Sequence, residues 1–161
     1  MICVERPDYV KDTNELEFIK GALEGIRILG ILQMPIGVIT NQSVVGRKII
    51  SENKLKQIHL HMVDEVRSAG GRIDAVFYCP HTSEDNCGCR KPSIGLFEQA
   101  SLQLGISLKK SWFVGDKIID QTAGSRAGCR TLRIESNRPD ALLSVARFIR
   151  NHYQVRTSVK D

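Results

Sequence analysis

The chain has 161 residues and a mass of 18.0 kDa, so we expect a single domain that spans residues 1–161. Hydrophobic residues make up 42% and charged residues 25%, a composition that excludes intrinsic disorder. The sequence has neither a long apolar run nor a signal peptide, so we expect a cytoplasmic protein without a membrane segment. The net charge is +5, and the basic residues are scattered along the chain, which suits a solvated surface or an anionic small substrate. With nine aromatic residues (one Trp, three Tyr, five Phe), a nucleic-acid partner is not expected.

Helices and strands are predicted to alternate along the chain after an N-terminal loop of residues 1–14. Apolar residues at helical or strand spacing, with glycines at the ends of several segments, mark the elements. Helices are predicted over residues 18–29, 51–69, 93–104, 121–127 and 139–152. Strands are predicted over residues 35–40, 73–78, 111–115 and 131–134, and residues 79–92 form a loop. The alternation predicts an α/β fold with a parallel sheet covered on both faces and chemistry at the carboxyl ends of the strands.

The loop after the second predicted strand carries four residues that can ligate a metal: Cys79, His81, Cys87 and Cys89. Tetrahedral Zn²⁺ takes four nitrogen or sulfur ligands, and a filled shell leaves no position for catalysis. We therefore predict a structural zinc site. Two alternatives stay open, namely unrelated buried cysteines or a redox pair formed by Cys87 and Cys89.

Two carboxylates, Asp116 and Asp120, follow the third predicted strand, with Lys117 between them. Carboxylate oxygens at a strand end are suitable ligands for Mg²⁺, and Lys117 can neutralise an oxyanion or hold a carboxylate in place. The alternative is a turn followed by a capped helix, because Asp is a favoured N-cap residue.

Polar and basic residues lie near two further strand ends. Thr40, Asn41, Gln42 and Ser43 lie at the end of the first predicted strand, and their two hydroxyls and two amides can bind phosphate oxygens, although such residues also form ordinary turns. Arg90 and Lys91 follow the cysteine-rich loop and place two cations near an anion held by the other loops.

Together these segments resemble the haloacid dehalogenase (HAD) superfamily, and within it the branch of heptose bisphosphate phosphatases and histidinol phosphatases. The resemblance is carried by VITNQS, by the loop CPHTSEDNCGCRKP and by VGDKIID, and it extends over roughly residues 2 to 136. It implies a Rossmann-like three-layer fold with an inserted zinc loop. It also implies that Thr40 and Asn41 contact the phosphoryl group, that Lys91 steadies the nucleophile and phosphate, and that Asp116 and Asp120 form the magnesium site.

The sequence departs from this family at the first motif, a strand that ends in Asp-x-Asp-Gly-Thr and supplies the nucleophile and the general acid. No Asp-x-Asp occurs in the 161 residues. We therefore expect the central strand to be missing, its two neighbours to lose their shared partner, and self-association to occur through the gap. Two explanations stay open: Met1 is an internal methionine of a longer chain, or the chain is a short variant without hydrolytic activity.

The resemblance implies a Mg²⁺-dependent phosphatase that acts on a phosphorylated sugar through an aspartyl-phosphate intermediate, with negligible turnover by the 161 residues alone. The N-terminal segment is similar to the heptose bisphosphate enzymes, whereas the five-residue spacer in the zinc loop is similar to the histidinol phosphatases. The alternatives are a non-catalytic, zinc-stapled module that binds a phosphorylated ligand or a protein, and a phosphatase that acts on nucleic-acid ends.

Overall fold

The computed structural model describes the backbone of residues 1–158 and the side chains of residues 1–153, and within them it has the predicted α/β order. The strands are β1 (Gly37–Asn41), β2 (Ala75–Cys79), β3 (Trp112–Gly115) and β4 (Arg130–Arg133). The helices are α1 (Ala22–Ile31), α2 (Ser43–Gly46), α3 (Glu52–Ser68), α4 (Gly95–Leu104), α5 (Ile118–Arg126) and α6 (Ala141–Ser158), with short 3₁₀ helices at Thr13–Glu15 and Leu108–Lys110. None of the helices in this part of the chain combines the length and the apolarity needed to cross a membrane.

The strands form two separate parallel pairs. β1 pairs with β2 from Gly37↔Ala75 to Asn41↔Cys79, and β3 pairs with β4 from Trp112↔Arg130 to Gly115↔Arg133. Over the described residues no ladder joins β1 to β3, so each pair keeps an open edge. The expectation that the two neighbours of the absent strand lack a common partner is confirmed.

An apolar cavity of about 350 Å³ lies between β1 and β3. Val38 and Ile39 contribute from β1, Phe113 and Val114 from β3, and helices α1, α4 and α6 contribute further lining. The space between the two strand pairs is therefore lined mostly by apolar side chains.

Alternate residues of a strand face the two helical layers. On β2, Val76 packs towards the core formed with α1, α3 and α6, whereas Phe77 packs against α4. The period of two expected of a strand buried on both faces explains this arrangement. The predicted covering of the sheet by helices on both faces is confirmed.

Several element boundaries differ from the prediction for local reasons. Helix α2 was not predicted, because its four residues are too few to show a periodicity. Helix α5 begins at Ile118 rather than at residue 121, because the Asp120 carboxylate accepts a hydrogen bond from the backbone N–H of Lys117 and caps the helix. Ser51 caps α3 as predicted, since its hydroxyl accepts a bond from the Lys54 N–H at 3.1 Å.

Candidate functional site

Lys91 is the centre of a polar cluster at the carboxyl ends of β1 and β3. Its side chain is buried, with the residue only 8% exposed, and its ammonium lies 2.6 Å from Asp120 Oδ1. The same ammonium donates to the carbonyl oxygen of Ile39 at 2.9 Å. A buried charge is tolerated only when it is paired and hydrogen-bonded, and Lys91 meets both conditions.

Asn41 holds the backbone of Lys91 against the end of β1. Its side-chain amide donates to the Lys91 carbonyl at 3.2 Å, and its oxygen accepts from the Lys91 N–H at 3.0 Å. The Asn41 side chain therefore positions Lys91. Its predicted contact with a phosphoryl group stays a prediction.

Asp120 connects Lys91 to the loop after β3. Its Oδ2 accepts from the N–H groups of Asp116 at 3.2 Å and Lys117 at 3.1 Å, while Oδ1 pairs with Lys91. Gly115 permits this approach, because a Cβ there would lie 2.3 Å from the Cβ of Asp120. Both oxygens of Asp120 are thus engaged by N–H donors, which are the contacts of a positioning residue.

Asp116 presents its carboxylate at the mouth of the cluster and is half-buried, with Oδ2 2.9 Å from the Met1 amino group. Burial by itself raises the pKa of Asp116, but hydrogen bonding and positive charge from that amino group outweigh it, and the pKa lies below its usual value. Mg²⁺ is commonly held by one or two carboxylates together with substrate phosphates and waters, so Asp116 fits that role.

The loops that follow β1 and β3 and the end of the cysteine-rich loop come together, as the sequence predicted. Thr40 lies between Ile39 and Asn41, which both contact Lys91, and Asp116 is joined to Lys91 through Asp120. Gln42 turns its amide towards the Thr40 hydroxyl at 3.4 Å. Lys117 instead pairs with Glu5 at the surface, and this hydrogen bond raises the pKa of Lys117.

The four predicted zinc ligands also come together. Cys79 Sγ lies 3.5 Å from both His81 Nδ1 and Cys87 Sγ and 3.1 Å from Cys89 Sγ, and all four ligand atoms lie within 4.8 Å of one another. A tetrahedron with Zn–S bonds of 2.3 Å has edges of about 3.8 Å, so the sulfur atoms of Cys79 and Cys89 need to move apart by about 0.7 Å and those of Cys79 and Cys87 by about 0.3 Å. The cysteines are free, and the cluster has the donor set and geometry for Zn²⁺.

The protonation of the thiols differs within the cluster. Burial raises the pKa of Cys79 to about 12. At Cys87 burial also acts upwards, but hydrogen bonds from the Arg90 backbone and from neighbouring thiols lower the pKa to about 7. A metal ion that enters the cluster would therefore displace protons from the other thiols.

The cysteine-rich loop of residues 79–92 is tied to its surroundings by three hydrogen bonds. Arg90 Nη1 donates to the His81 carbonyl at 3.0 Å, which fixes the residue next to Lys91. The Gln42 N–H donates to the Cys79 carbonyl at 2.7 Å, and the Gly46 N–H donates to the Pro80 carbonyl at 2.9 Å. The loop therefore holds both the basic pair and helix α2.

Two residues near this mouth, Tyr9 and Arg47, were missed by the sequence analysis, whereas Ser43 belongs to the polar run that was predicted to bind phosphate oxygens. Hydrogen bonding from Ser43 lowers the pKa of Tyr9, and Arg47 and the charge of Arg90 act in the same direction. Tyr9 lies in a segment predicted only as a loop, and Arg47 follows a helix of four residues, so neither carried a periodic signal. The only indication in the sequence was that Arg47 follows the polar run at 40–43 by four residues.

Comparison with known proteins gives concordant matches. Residues 88–161 match the family described as HAD-hyrolase-like. The D-glycero-beta-D-manno-heptose-1,7-bisphosphate 7-phosphatase of Neisseria meningitidis serogroup A is 36% identical over 124 residues, which are 77% of this chain and 66% of that protein. The Pseudomonas aeruginosa enzyme of the same name is 31% identical over 138 residues, which are 86% of this chain and 78% of that protein.

A solved structure extends the likeness to the fold. The D,D-heptose 1.7-bisphosphate phosphatase from B. bronchiseptica, complexed with magnesium and phosphate, superposes with a TM-score of 0.85 at 26% identity, covering 94% of each chain. The chain spans 66% of the length of the Neisseria relative, and several other relatives carry the same name. The sequence matches and the likeness of fold agree, and this chain belongs to the HAD superfamily, in the family of D-glycero-beta-D-manno-heptose-1,7-bisphosphate 7-phosphatases.

Proposed function

We propose that the chain forms the phosphoryl-binding part of a Mg²⁺-dependent phosphatase that acts on a heptose bisphosphate. The observation that supports this proposal is the buried ammonium of Lys91, which is held between the Ile39 carbonyl of β1 and Asp120, with Thr40 next to Ile39 in the chain. Lys91 supplies fixed positive charge, Thr40 supplies a hydroxyl donor, and Asp116 is the residue that would hold Mg²⁺. When bound, Mg²⁺ supplies charge that shields the transferring phosphoryl group.

The side chains at this site provide binding but no nucleophile. Asp120 has both oxygens occupied, and Asp116 is the residue proposed to hold the metal. In the described residues we find no further carboxylate among the hydrogen-bond and ion-pair partners of Lys91 that could attack phosphorus. We propose that residues 1–161 alone bind a sugar phosphate but release phosphate at a negligible rate.

The experiment compares binding and turnover for two ligands, D-glycero-beta-D-manno-heptose 1,7-bisphosphate and histidinol phosphate, by calorimetry and by a phosphate-release assay with Mg²⁺ present. The heptose ligand should bind more tightly, without turnover. Thr40→Val should weaken binding about tenfold or more, because it removes a donor to a charged oxygen. Thr122→Val, on α5 with its hydroxyl bonded to the Ile118 carbonyl, is the control.

Each outcome has a definite meaning. Rapid phosphate release would overturn the proposed inactivity of these residues. Tighter binding of histidinol phosphate would move the proposal to the histidinol-phosphate phosphatases. Failure of both ligands to bind would overturn the phosphatase proposal and leave a zinc-stapled protein-binding module as the second candidate, for which the metal cluster is the supporting observation.

We also propose two further properties. The loop of Cys79, His81, Cys87 and Cys89 binds a structural Zn²⁺ ion, for which the four converging ligands are the support. The molecule associates with itself at the open strand edges around the cavity between β1 and β3.

A further inference from the structure

The loop after β4, residues 134–140, lies directly beside the loop that carries Asp116. β3 and β4 are parallel neighbours, so their carboxyl ends lie at the same edge of the sheet. The pairing continues one residue beyond the ladder, because the Ile134 N–H donates to the Gly115 carbonyl at 2.9 Å. Gly115 directly precedes Asp116, so this bond fixes the start of the loop against the backbone that leads into Asp116.

Asn137 fixes the same loop three residues later. Its side-chain oxygen accepts from the Glu5 N–H at 2.8 Å, and its amide nitrogen donates to the Glu5 carbonyl at 3.4 Å. Asn137 also has a φ of +54°, a left-handed conformation that asparagine adopts more readily than most other residues with a side chain. Both the amide contacts and the backbone conformation therefore favour asparagine at this position.

Ser136 lies between these two fixed points and contacts Asp116. The bond of Ile134 holds the loop on one side of Ser136, and the two bonds of Asn137 hold it on the other. Hydrogen bonding from the Ser136 hydroxyl contributes to the lowered pKa of Asp116. A hydroxyl that donates to a carboxylate restricts how the carboxylate turns, and such partners of a metal ligand tune its affinity for the ion.

One more contact closes a ring around Asp116. The Glu5 carboxylate pairs with the ammonium of Lys117, the residue that follows Asp116. The ring runs along the chain from Asp116 to Lys117, crosses to Glu5 and then to Asn137, and returns to Asp116 through Ser136. The residues other than Asp116 are exposed, and exposed ion pairs contribute little to stability. The ring therefore affects the position of Asp116 more than the stability of the fold.

We propose that Ser136, held in place by Asn137, positions the Asp116 carboxylate and thereby sets its affinity for a divalent cation. Both are positioning residues, because they act through Asp116 rather than on the metal or the substrate. This inference rests on the proposed function, which assigns Mg²⁺ to Asp116. It gives the loop after β4 a part in a site whose other residues follow β1, β3 and the cysteine-rich loop.

The test measures cation affinity rather than turnover. Mn²⁺ replaces Mg²⁺, and the electron paramagnetic resonance signal of unbound Mn²⁺ gives the affinity of each variant in the presence of inorganic phosphate. Ser136→Ala should weaken Mn²⁺ binding about tenfold, because it removes the donor to Asp116. Ser136→Thr retains a hydroxyl and should bind nearly as tightly as the unaltered chain. Asn137→Gly keeps the left-handed backbone accessible and should cause a smaller loss.

The matched control is Ser144→Ala on α6. The Ser144 hydroxyl donates to the Asp140 carbonyl at 2.9 Å, so this variant loses a hydroxyl of the same kind and should keep the full Mn²⁺ affinity. Thermal unfolding of each variant checks its folding. Because Ser136 and Asn137 are exposed, we expect their variants to keep the melting temperature of the unaltered chain.

The outcomes separate this inference from the assignment of the metal. Asp116→Asn should abolish Mn²⁺ binding. If it does, but Ser136→Ala and Asn137→Gly bind Mn²⁺ as tightly as the unaltered chain, the inference is overturned while the role of Asp116 stands. Equal losses in Ser136→Ala and Ser136→Thr, or a loss of affinity that comes with a lower melting temperature, would also overturn it. If the unaltered chain binds no Mn²⁺, or Asp116→Asn leaves binding unchanged, both the inference and the metal assignment are overturned.

Discussion

Asp120 shows how one buried carboxylate can hold the groups around it in place. It is 5% exposed, pairs with the Lys91 ammonium and accepts hydrogen bonds from two backbone N–H groups of the loop after β3. The loss of one partner of such a pair costs more than the pair contributes, because the remaining charge stays buried without compensation.

We therefore predict that Asp120→Asn lowers the free energy of unfolding by about 3 kcal/mol. The amide keeps the shape of the side chain but leaves the Lys91 ammonium without its counter-charge. Urea denaturation measures the effect. The matched control is Asp64→Asn, because Asp64 forms an exposed pair with Arg67, and this change should stay within about 0.5 kcal/mol. Equal effects of the two substitutions would contradict the structural role of Asp120.

At the scale of elements, the cysteine-rich loop joins parts of the molecule that do not contact one another through regular secondary structure. It follows β2, supports α2 through the Pro80 carbonyl and fixes Arg90 through the His81 carbonyl. A loop of this length without helix or strand needs another source of order, and a tetrahedral ion is the source that its side chains can provide.

Cys87→Ser should therefore remove zinc and loosen the loop. We expect about one zinc ion per chain before the substitution and much less after it, together with a lower melting temperature and faster amide exchange of Arg90. Elemental analysis, thermal unfolding and hydrogen exchange are the measurements. Cys129→Ser should leave the zinc content unchanged, since Cys129 lies outside the cluster. Retention of full zinc content by Cys87→Ser would contradict the assignment.

For the molecule as a whole, the two open strand edges predict association that depends on protein concentration. Sedimentation velocity should show species larger than a monomer as concentration rises, and Val38→Lys, which places a charge in the cavity between β1 and β3, should reduce them. Leu102→Lys is the control, because Leu102 is 88% exposed on α4 and would be responsible if association were only general adhesion of apolar surface. A monomer at every concentration would contradict the prediction.

Local patterns were sufficient for the order of the strands and of the longer helices, but not for helix α2 or the two short 3₁₀ helices. The β-branched run at 35–40 and the helix started by Ser51 lie where the sequence predicted them, to within two residues, because their signals are local. Spacing along the chain also identified all four residues of the metal cluster.

The detailed contacts could not be predicted because they join distant parts of the chain. Asn41 and Lys91 are 50 residues apart, and their reciprocal bonds exist only once β1 and the cysteine-rich loop are packed. The proximity of Tyr9 to Arg47 likewise depends on how α2 docks, which no local pattern encodes.

The buried pair of Lys91 and Asp120 also restricts which substitutions this sequence can accumulate in evolution. A substitution at either position alone leaves a stranded charge in the interior, so most single changes would be eliminated before a compensating one arose. Across a lineage we expect the two codons to be inherited as a unit, either both retained or both replaced, even though 28 other positions separate them in the gene.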